Sequence, residues 1–341
     1  MVRILIFFCI NKYHLSSNKN TNTQHGTGTE LWAIFLNNTS QYSESLHNLF
    51  PLTLKLASRD FEHIENIMSI LQGYALLGST KFIQSYSSIV MKLLVRIVGE
   101  LSEKGALVVI RTIEILLKCF PKHTTQILIV SKIMSDKILS SVLRCSDEES
   151  INKRRNRSGQ LRTPPRVITG YMSILARCFV SVPELFTPFV VRLNNNIIVK
   201  LTSLWLEKYD AVNEMWRKKL WTLSLIFILS RHTRDREIFQ FLPQILEVVV
   251  NHLHEMSSSA GIAHAKETVP GSNFDDIEDL MPFGTSRRRH VFTNDPIFKA
   301  NVRSIFNQSV QACRTVAGDV EFNAILSSVP PSSLQFLKGA L

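Results

Sequence analysis

The residues whose types and spacing could do chemistry form two short clusters of charge. Residues 151–166 carry six cations and no acid, and four of them form a candidate basic interaction loop: Lys153, Arg154, Arg155 and Arg157. Guanidinium and ammonium groups this close together can bind phosphate or carboxylate, as an anion-binding loop or a nuclear localisation signal does. The alternative is an insertion between two helices whose charges are simply solvated. The sequence leaves both interpretations open.

The second cluster places acids and bases close together. Its acids are Asp275, Asp276, Glu278 and Asp279, and its bases are Arg287, Arg288 and Arg289. We consider these residues candidate linker contacts, because the two groups could pair with each other or the acids could meet a basic partner. A solvated linker is the plain alternative.

Catalytic, metal and cofactor sites have no support in the sequence. The stretch from Gly73 to Gly78 has the glycine spacing of a phosphate-binding loop, but it lacks the lysine and follows a helical pattern. His252 and His254 are two residues apart, so they leave a helix in different directions and do not suit one zinc ion. No nucleophile elbow or Cys–His signature occurs, and the five cysteines include no C-x-x-C pair. We therefore predict that the protein is not an enzyme and that it holds no cofactor and no metal.

The net charge of +11 in 341 residues is concentrated outside the apolar parts of the chain. Residues 1–28, residues 151–166 and the arginines at 287–289 carry the excess, so the remainder is nearly neutral. A nucleic-acid-binding domain usually carries its charge on one face of folded structure, which makes nucleic acid only the second choice of partner. No stretch reaches the roughly 18–20 apolar residues that a membrane helix needs, so we predict no membrane insertion.

The elements that must position these clusters are helices. From residue 29 to 257 the apolar residues recur with the spacing of one helix face, most clearly between 103 and 120. The pattern predicts pairs of helices joined by short turns. The first helix of each pair is predicted to begin near 60, 103, 164 and 213, and the second helix of the last three pairs to span 124–144, 182–207 and 234–256. Antiparallel pairs that recur at roughly 40–47 residues are typical of HEAT repeats, in which neighbouring pairs stack to bury their apolar faces. We predict an all-α, HEAT/ARM-type helical-repeat solenoid, that is, an α-α superhelix.

The predicted organisation has four parts. Residues 1–28 are expected to be a disordered or atypical tail, and the HEAT-repeat array occupies 29–257 with a basic insertion loop at 145–163. An acidic and basic linker follows at 258–294, and capping helices at 295–341 end the chain. Charges that cluster at one turn of the array form a third candidate surface, although such charges are mostly solvated: Lys200, Glu207, Lys208, Asp210, Arg217, Lys218 and Lys219.

Several motifs resemble one known family of helical-repeat proteins. They are Glu30-Leu-Trp32, Ile70-Leu-Gln-Gly-Tyr74-Ala-Leu-Leu-Gly78, Arg217-Lys-Lys-Leu220 and Asp295-Pro296. With these motifs, residues 29–341 resemble the C-terminal portion of the importin-beta (karyopherin-beta) family of nuclear transport receptors, in its importin-11-like branch. The motifs belong to repeat structure and not to a catalytic site.

The resemblance implies a superhelix that binds protein cargo and carries it between the cytoplasm and the nucleus. It implies ubiquitin-conjugating enzymes and ribosomal proteins as cargo, contact with nucleoporins, and regulation by the small GTPase Ran, which binds mainly to N-terminal repeats. Because this chain is shorter and begins within the array, we do not expect Ran binding by this chain alone. The alternative, which comes from the residues themselves, is a helical-repeat scaffold that binds RNA or ribosomal components through the basic loop.

Overall fold

The computed structural model describes residues 22–57, 63–78, 80–145, 163–194, 196–232, 235–257, 282–327, 329 and 331. These residues fold into helices joined by turns, and no strand occurs among them. The chain divides into two compact units. Unit 1 comprises Met1–Lys137 and Asn273–Phe292, and unit 2 comprises Ile138–Ser272 and Thr293–Leu341.

Unit 1 begins with helices that follow one another in antiparallel pairs. They are α1 (Asn22–Asn38), α2 (Glu44–His47), α3 (Leu52–Ala57), α4 (Ile64–Leu76), α5 (Thr80–Ile97), α6 (Glu103–Cys119) and α7 (Pro121–Val130). A π-helix (Ile133–Leu139) follows α7 and residues 140–145 are α-helical, with the boundary to unit 2 lying after Lys137.

Unit 2 continues the pattern with α8 (Pro165–Ser181), α9 (Pro183–Leu193), α10 (Ile197–Glu207), α11 (Met215–Arg231), α12 (Arg236–Phe239) and α13 (Leu242–Ser257). The next described helix, α14 (Pro282–Thr293), belongs to unit 1 up to Phe292. Unit 2 then ends with α15 (Pro296–Lys299), α16 (Val302–Ala317) and α17 (Asp319–Leu326).

Apart from α14, the longer helices of each unit stack in chain order, which is the defining property of a repeat array. In unit 1 the first helix α4 packs against α1 and α6, while the second helix α5 packs against α3 and α7. In unit 2 the first helix α11 packs against α8 and α16, while the second helix α13 packs against α10 and α17. The predicted all-α helical-repeat fold is confirmed.

The cores of the two units differ in composition. Unit 1 contains an aromatic cluster in which the Phe82 ring stacks on Tyr74 at 5.4 Å and meets Phe50 edge-on at 4.7 Å between ring centroids. The Tyr74 hydroxyl donates to the Leu46 carbonyl at 2.7 Å, so this buried polar atom is satisfied. Unit 2 buries mostly aliphatic residues around Trp221, whose indole N–H donates to the Ser173 hydroxyl at 3.0 Å.

Periodicity located the first helices well and the second helices less well. The first helices begin at Ile64, Glu103, Pro165 and Met215, close to the predicted starts. The second helices are interrupted. Lys132 adopts a positive φ of 61° between α7 and the π-helix, Asn194 is extended between α9 and α10, and residues 240–241 form a turn between α12 and α13. The segments predicted as single helices at 124–144, 182–207 and 234–256 are therefore broken.

Two predicted non-helical segments prove partly helical. Residues 22–28 belong to α1, and the rest of the predicted tail lies outside the described residues, so the disordered or atypical tail stays a prediction. Residues 282–293 form α14 where we predicted a linker, because contacts with distant helices stabilise a helix that has little apolar pattern of its own. Residues 146–162 and 258–281, which hold most of the insertion loop and of the linker, lie outside the described residues. The capping role of 295–341 stays a prediction.

Candidate interaction surfaces

Of the residues singled out in the sequence, the three arginines of the second cluster lie on a described helix. Arg287 and Arg288 are partly buried on α14, and Arg289 is exposed. The basic-loop residues Lys153, Arg154, Arg155 and Arg157 lie outside the described residues, as do the acids Asp275, Asp276, Glu278 and Asp279. Their roles stay predictions.

Arg287 binds the C-terminal end of α1. Its Nη2 donates to the main-chain carbonyls of Leu36 at 2.7 Å and Asn37 at 3.4 Å, and its Nη1 donates to the carbonyl of Thr39. The last carbonyls of a helix have no partner within the helix and carry partial negative charge, so a guanidinium both satisfies and is attracted to them. Arg287 therefore caps a helix that ends about 250 residues earlier in the chain.

Gly284 allows α14 to come this close to α1. It is buried, and a Cβ on it would lie 3.0 Å from Cβ and 2.8 Å from Oδ1 of Asn37. A larger residue at 284 would force the Asn37 side chain or the whole of α14 to move.

Two further contacts of α14 are with the first helices that follow α1, namely α4 and α6. Arg288 Nη2 donates to Oε1 of Gln72 on α4 at 3.2 Å, and Gln72 Nε2 donates in turn to the Thr112 hydroxyl on α6 at 2.8 Å. Phe292 is buried, with Lys118 Nζ of α6 lying 5.0 Å from its ring centroid. Helix α14 thus lies across α1, α4 and α6 in succession, and we call it the strap.

Two guanidinium groups of the strap, those of Arg287 and Arg288, are partly removed from water. Burial lowers the pKa of Arg287, and repulsion from Arg288 lowers it further. Burial also lowers the pKa of Arg288. Arginine stays protonated at neutral pH despite such shifts, so the consequence is a cost in docking energy. The Nε of Arg287 adds to this cost, because it is buried without a hydrogen-bond partner among the described residues.

The third candidate surface lies around the start of α11, and its lysines Lys218 and Lys219 contact other residues of unit 2. Lys218 Nζ lies 2.7 Å from Oε1 of Glu255 on α13, and Lys219 Nζ donates to the carbonyl of Phe298 at 2.5 Å. Beside them, burial and then the two lysines lower the pKa of His252 to about 4, so this imidazole is neutral at pH 7. These charges hold helices together, and their predicted role as a partner surface stays untested.

Sequence reasoning missed a buried ion pair in unit 2. Arg177 Nη1 lies 2.8 Å from Oδ1 and 2.7 Å from Oδ2 of Asp295, and each side chain is only 4% exposed. Oδ1 of Asp295 also accepts from the Ile297 N–H and caps α15. The available signal was an arginine in the largely apolar C-terminal half of helix α8. Its partner, 118 residues later in the chain, could not be named from one sequence.

The described residues contain no group of His, Cys, Asp or Glu side chains arranged to hold a metal ion. Within the same part of the chain, each helix is too short or too polar to cross a bilayer.

A protein-family model described as importin-11-like, TPR repeats, matches residues 25–341. The chain belongs to the importin-11-like family.

Curated relatives agree with this membership. Importin-11 of Mus musculus is 20% identical over 330 residues, which cover 92% of this chain and 32% of the relative. Importin beta-like protein kap113 of Schizosaccharomyces pombe is 23% identical over 320 residues, which cover 92% of this chain and 30% of the relative. The chain thus spans about a third of the length of the importins that it matches.

A solved structure supports the fold. The structure is that of Lph2, described as a novel bidirectional nuclear transport receptor in S. cerevisiae, and it matches with a TM-score of 0.73 at 15% identity. The match covers 99% of this chain and 36% of Lph2. The fold predicted for the importin-beta resemblance is therefore confirmed for the importin-11-like chain.

The repeats of this importin-11-like chain are longer than typical TPR units. Successive first helices begin at Ile64 and Glu103 in unit 1 and at Pro165 and Met215 in unit 2, about 39 and 50 residues apart. A TPR unit has about 34 residues, whereas HEAT units have about 40–47. Both repeat types stack antiparallel helix pairs, so the description of the family model and the predicted architecture agree on the packing.

Proposed function

We propose that this chain is the cargo-binding part of a nuclear transport receptor of the importin-11-like family, which moves between cytoplasm and nucleus. The observation that carries the proposal is that the family match at 25–341 coincides with helices that stack in chain order in both units. Proteins built in this way work through extended surfaces and seldom through a pocket. The relatives are transport receptors, which supports binding and not catalysis as the activity.

The mechanism follows from the contacts between neighbouring first helices. Gly73 of α4 packs so tightly on Leu36 of α1 that a Cβ at 73 would lie 2.9 Å from the leucine Cβ. Gln72 and Thr112 link α4 to α6 at 2.8 Å. Because the first helix α4 packs mainly on the first helices before and after it, small rotations at each interface add up along the array. A surface of this kind can adjust its curvature to different protein cargoes.

Ran and nucleoporins are the further partners that the family suggests. In the resemblance, Ran in its GTP form binds mainly N-terminal repeats, and this chain spans about a third of the relatives' length. We therefore expect that the chain alone does not bind Ran in a GTP-dependent way. Nucleoporin contact belongs to the same proposal, since a shuttling receptor must pass the pore.

RNA binding through the basic loop is not favoured, because the comparisons find transport receptors. A cargo titration tests the proposal against this alternative. The purified chain is titrated with a labelled ubiquitin-conjugating enzyme and a labelled ribosomal protein, and separately with a labelled RNA, at about 50 and 200 mM salt.

The proposal expects saturable binding of at least one protein at both salt concentrations. It expects no change when Lys153, Arg154, Arg155 and Arg157 are replaced by alanine, and no effect of Ran in its GTP form. RNA binding that falls by orders of magnitude with salt and disappears in the loop variant, without protein binding, would replace the transport proposal with the scaffold alternative.

A further inference from the structure

The first helices of unit 1 run in the same direction and end side by side. Asn66 on α4 donates to the Thr29 hydroxyl on α1 at 3.2 Å, and Gly73 on α4 meets Leu36 on α1 about two turns later. Glu65 of α4 pairs with Lys104 of α6 and Gln72 with Thr112, so these two helices also run in the same direction. Parallel helices in this register bring the C-terminal ends of α1, α4 and α6 to one side of the unit.

That side offers acceptors and negative potential. Each helix C-terminus carries about half a negative charge from its aligned peptide dipoles, and its last carbonyls lack partners within the helix. The acceptors that meet the strap are the carbonyls of Leu36, Asn37 and Thr39 and the side-chain oxygen of Gln72. We call these four groups the acceptor face. Its chemistry suits guanidinium donors carried on a helix.

Arg287 contributes only weakly to holding the strap on the acceptor face. Among the described residues Arg287 has neutral carbonyls as its partners and no carboxylate, and its Nε has no hydrogen bond. A cation at a helix terminus contributes only about 0.3–1 kcal/mol, rising to about 2 in partly buried geometries. Desolvation of the guanidinium offsets much of that gain.

We propose that the acceptor face is a binding surface for an arginine-rich helical segment of a protein partner, and that the strap occupies it until such a segment displaces it. The strap itself shows which chemistry fits, since its consecutive Arg287 and Arg288 donate to α1 and α4 and its Phe292 is buried beside α6. The inference rests on the proposed function, because the partner segment is a part of a cargo. Competition with the strap then limits binding to cargoes whose basic segment is the better ligand.

The test uses the strap sequence in trans. A fluorescein-labelled peptide that spans Pro282–Thr293 is titrated into the full chain and into the double variant Arg287→Gln/Arg288→Gln, with binding followed by fluorescence anisotropy. The attached strap competes in the wild type at an effective concentration that can reach the millimolar range. We therefore expect the double variant to bind the peptide at least about tenfold more tightly. A peptide with glutamine in place of both arginines should bind neither protein.

Two matched variants show where the peptide binds. In the double-variant background, Gln72→Leu removes one acceptor and should weaken binding several-fold, while the main-chain acceptors remain. Gln84→Leu is the control, since Gln84 is an exposed glutamine on α5. Equal effects of the two substitutions would overturn the assignment of the acceptor face.

If the double variant does not fold, a disulfide that attaches the strap to α1 reversibly provides a second test, and we call this disulfide the lock. A Cβ at Gly284 would lie 3.0 Å from the Asn37 Cβ, and disulfides need about 3.5–4.5 Å, so Asn37→Cys/Gly284→Cys can form a bond after a small shift. The oxidised protein should lose peptide binding, and a reductant should restore it, whereas Asn37→Cys alone should not respond to reductant.

Three results would overturn the inference: equal peptide binding by the wild type and a folded double variant, equal binding by the oxidised and reduced lock, or no peptide binding to any form. Because the probe comes from this chain, its result does not depend on whether a cargo has been found. If the lock does not affect cargo binding, the proposed function is retained, but the proposal that the strap competes with cargo for the acceptor face is wrong.

Discussion

Units 1 and 2 share one packing scheme and differ in how the last part of the chain is attached to each. In unit 1 the strap is attached by Arg287, whose partners are neutral main-chain carbonyls. In unit 2 the helices after residue 294 are attached by Asp295, which lies 2.7 Å from buried Arg177 and also caps α15. The first attachment pairs a cation with a helix dipole, and the second pairs two full charges away from water.

The difference shows that the burial of a charged side chain does not by itself determine how firmly a helix is attached to its unit. A cation at a helix end contributes about 0.3–2 kcal/mol. In unit 2 the attachment also buries Val302, Phe306, Val310 and Cys313 of α16, and burial of each large apolar side chain contributes about 1.5–3 kcal/mol. Unit 2 should therefore lose its terminal helices only by unfolding, while unit 1 can release the strap and remain folded. The following predictions test that contrast, beginning with the largest expected effect.

Asp295→Asn should cost unit 2 about 3 kcal/mol of unfolding free energy. The amide still caps α15, but the Arg177 charge stays buried without its counter-charge. Urea denaturation followed by tryptophan fluorescence measures the loss, since Trp205 and Trp221 lie in the unit 2 core. The control is Asp319→Asn, which breaks an exposed pair with Arg314 and should cost less than about 1 kcal/mol. Equal losses in the two variants would contradict the account.

Acidification should weaken unit 2 through His252. The folded state lowers the pKa of this histidine from 6.5 to about 4, so between these values the unfolded state binds more protons. Stability attributable to His252 is therefore complete above about pH 6.5 and declines as the pH falls to about 4, by roughly 2–3 kcal/mol in total. Burial also lowers the pKa of His232, which acts in the same direction.

The check on this prediction is a urea titration at several pH values. His252→Gln should flatten the decline between about pH 6.5 and 4 and leave the smaller part due to His232. A His252→Gln profile that runs parallel to that of the wild type would show that His252 is not responsible.

Gly284→Ala should detach the strap at a cost of about 1–2 kcal/mol. The added Cβ would lie 2.8–3.0 Å from atoms of the Asn37 side chain, so α14 or Asn37 must shift. Hydrogen exchange should become faster in α14 and stay unchanged in α16. The control is Gly318→Ala in unit 2, which meets no atom within 4 Å but has a φ of 79°, so it strains the α16–α17 turn without affecting α14.

The smallest effect is expected for ion pairs on the outside of unit 1. Three of them join neighbouring repeats, namely Glu44–Lys81, Glu65–Lys104 and Glu100–Lys137 at 2.7–2.8 Å. Exposed pairs lose nearly as much in hydration and side-chain freedom as they gain. Replacing all three glutamates by glutamine should move the thermal midpoint by no more than about 2 °C. A larger shift would show that surface charge, and not the apolar core, holds the repeats in register.

The fold could be predicted from the sequence where stability is local and periodic. The apolar spacing in 103–120 marks α6, and its buried residues include Ile110, Ile113 and Leu117. Asp295-Pro296 was expected to open the last helices, and Asp295 does cap α15. Both signals depend on residues within one or two turns of each other, which a single sequence displays.

The strap could not be predicted, because its stability comes from far away in the chain. Its sequence has three consecutive arginines and little apolar pattern, which is typical of a linker. What makes it an ordered helix is the contact of Arg287 with carbonyls about 250 residues earlier and the fit of Gly284 against Asn37. The Arg177–Asp295 pair escaped prediction for the same reason. One sequence shows which residues need partners and not where those partners lie.

Native-state hydrogen exchange on the full chain tests the central contrast most directly. It compares the amides of residues 286–292 in the strap with those of residues 303–313 in α16, under conditions in which both units stay folded. The account predicts that the strap exchanges at least about tenfold faster, and faster still when the strap peptide is added in excess. Equal protection of the two segments, unchanged by the peptide, would contradict it.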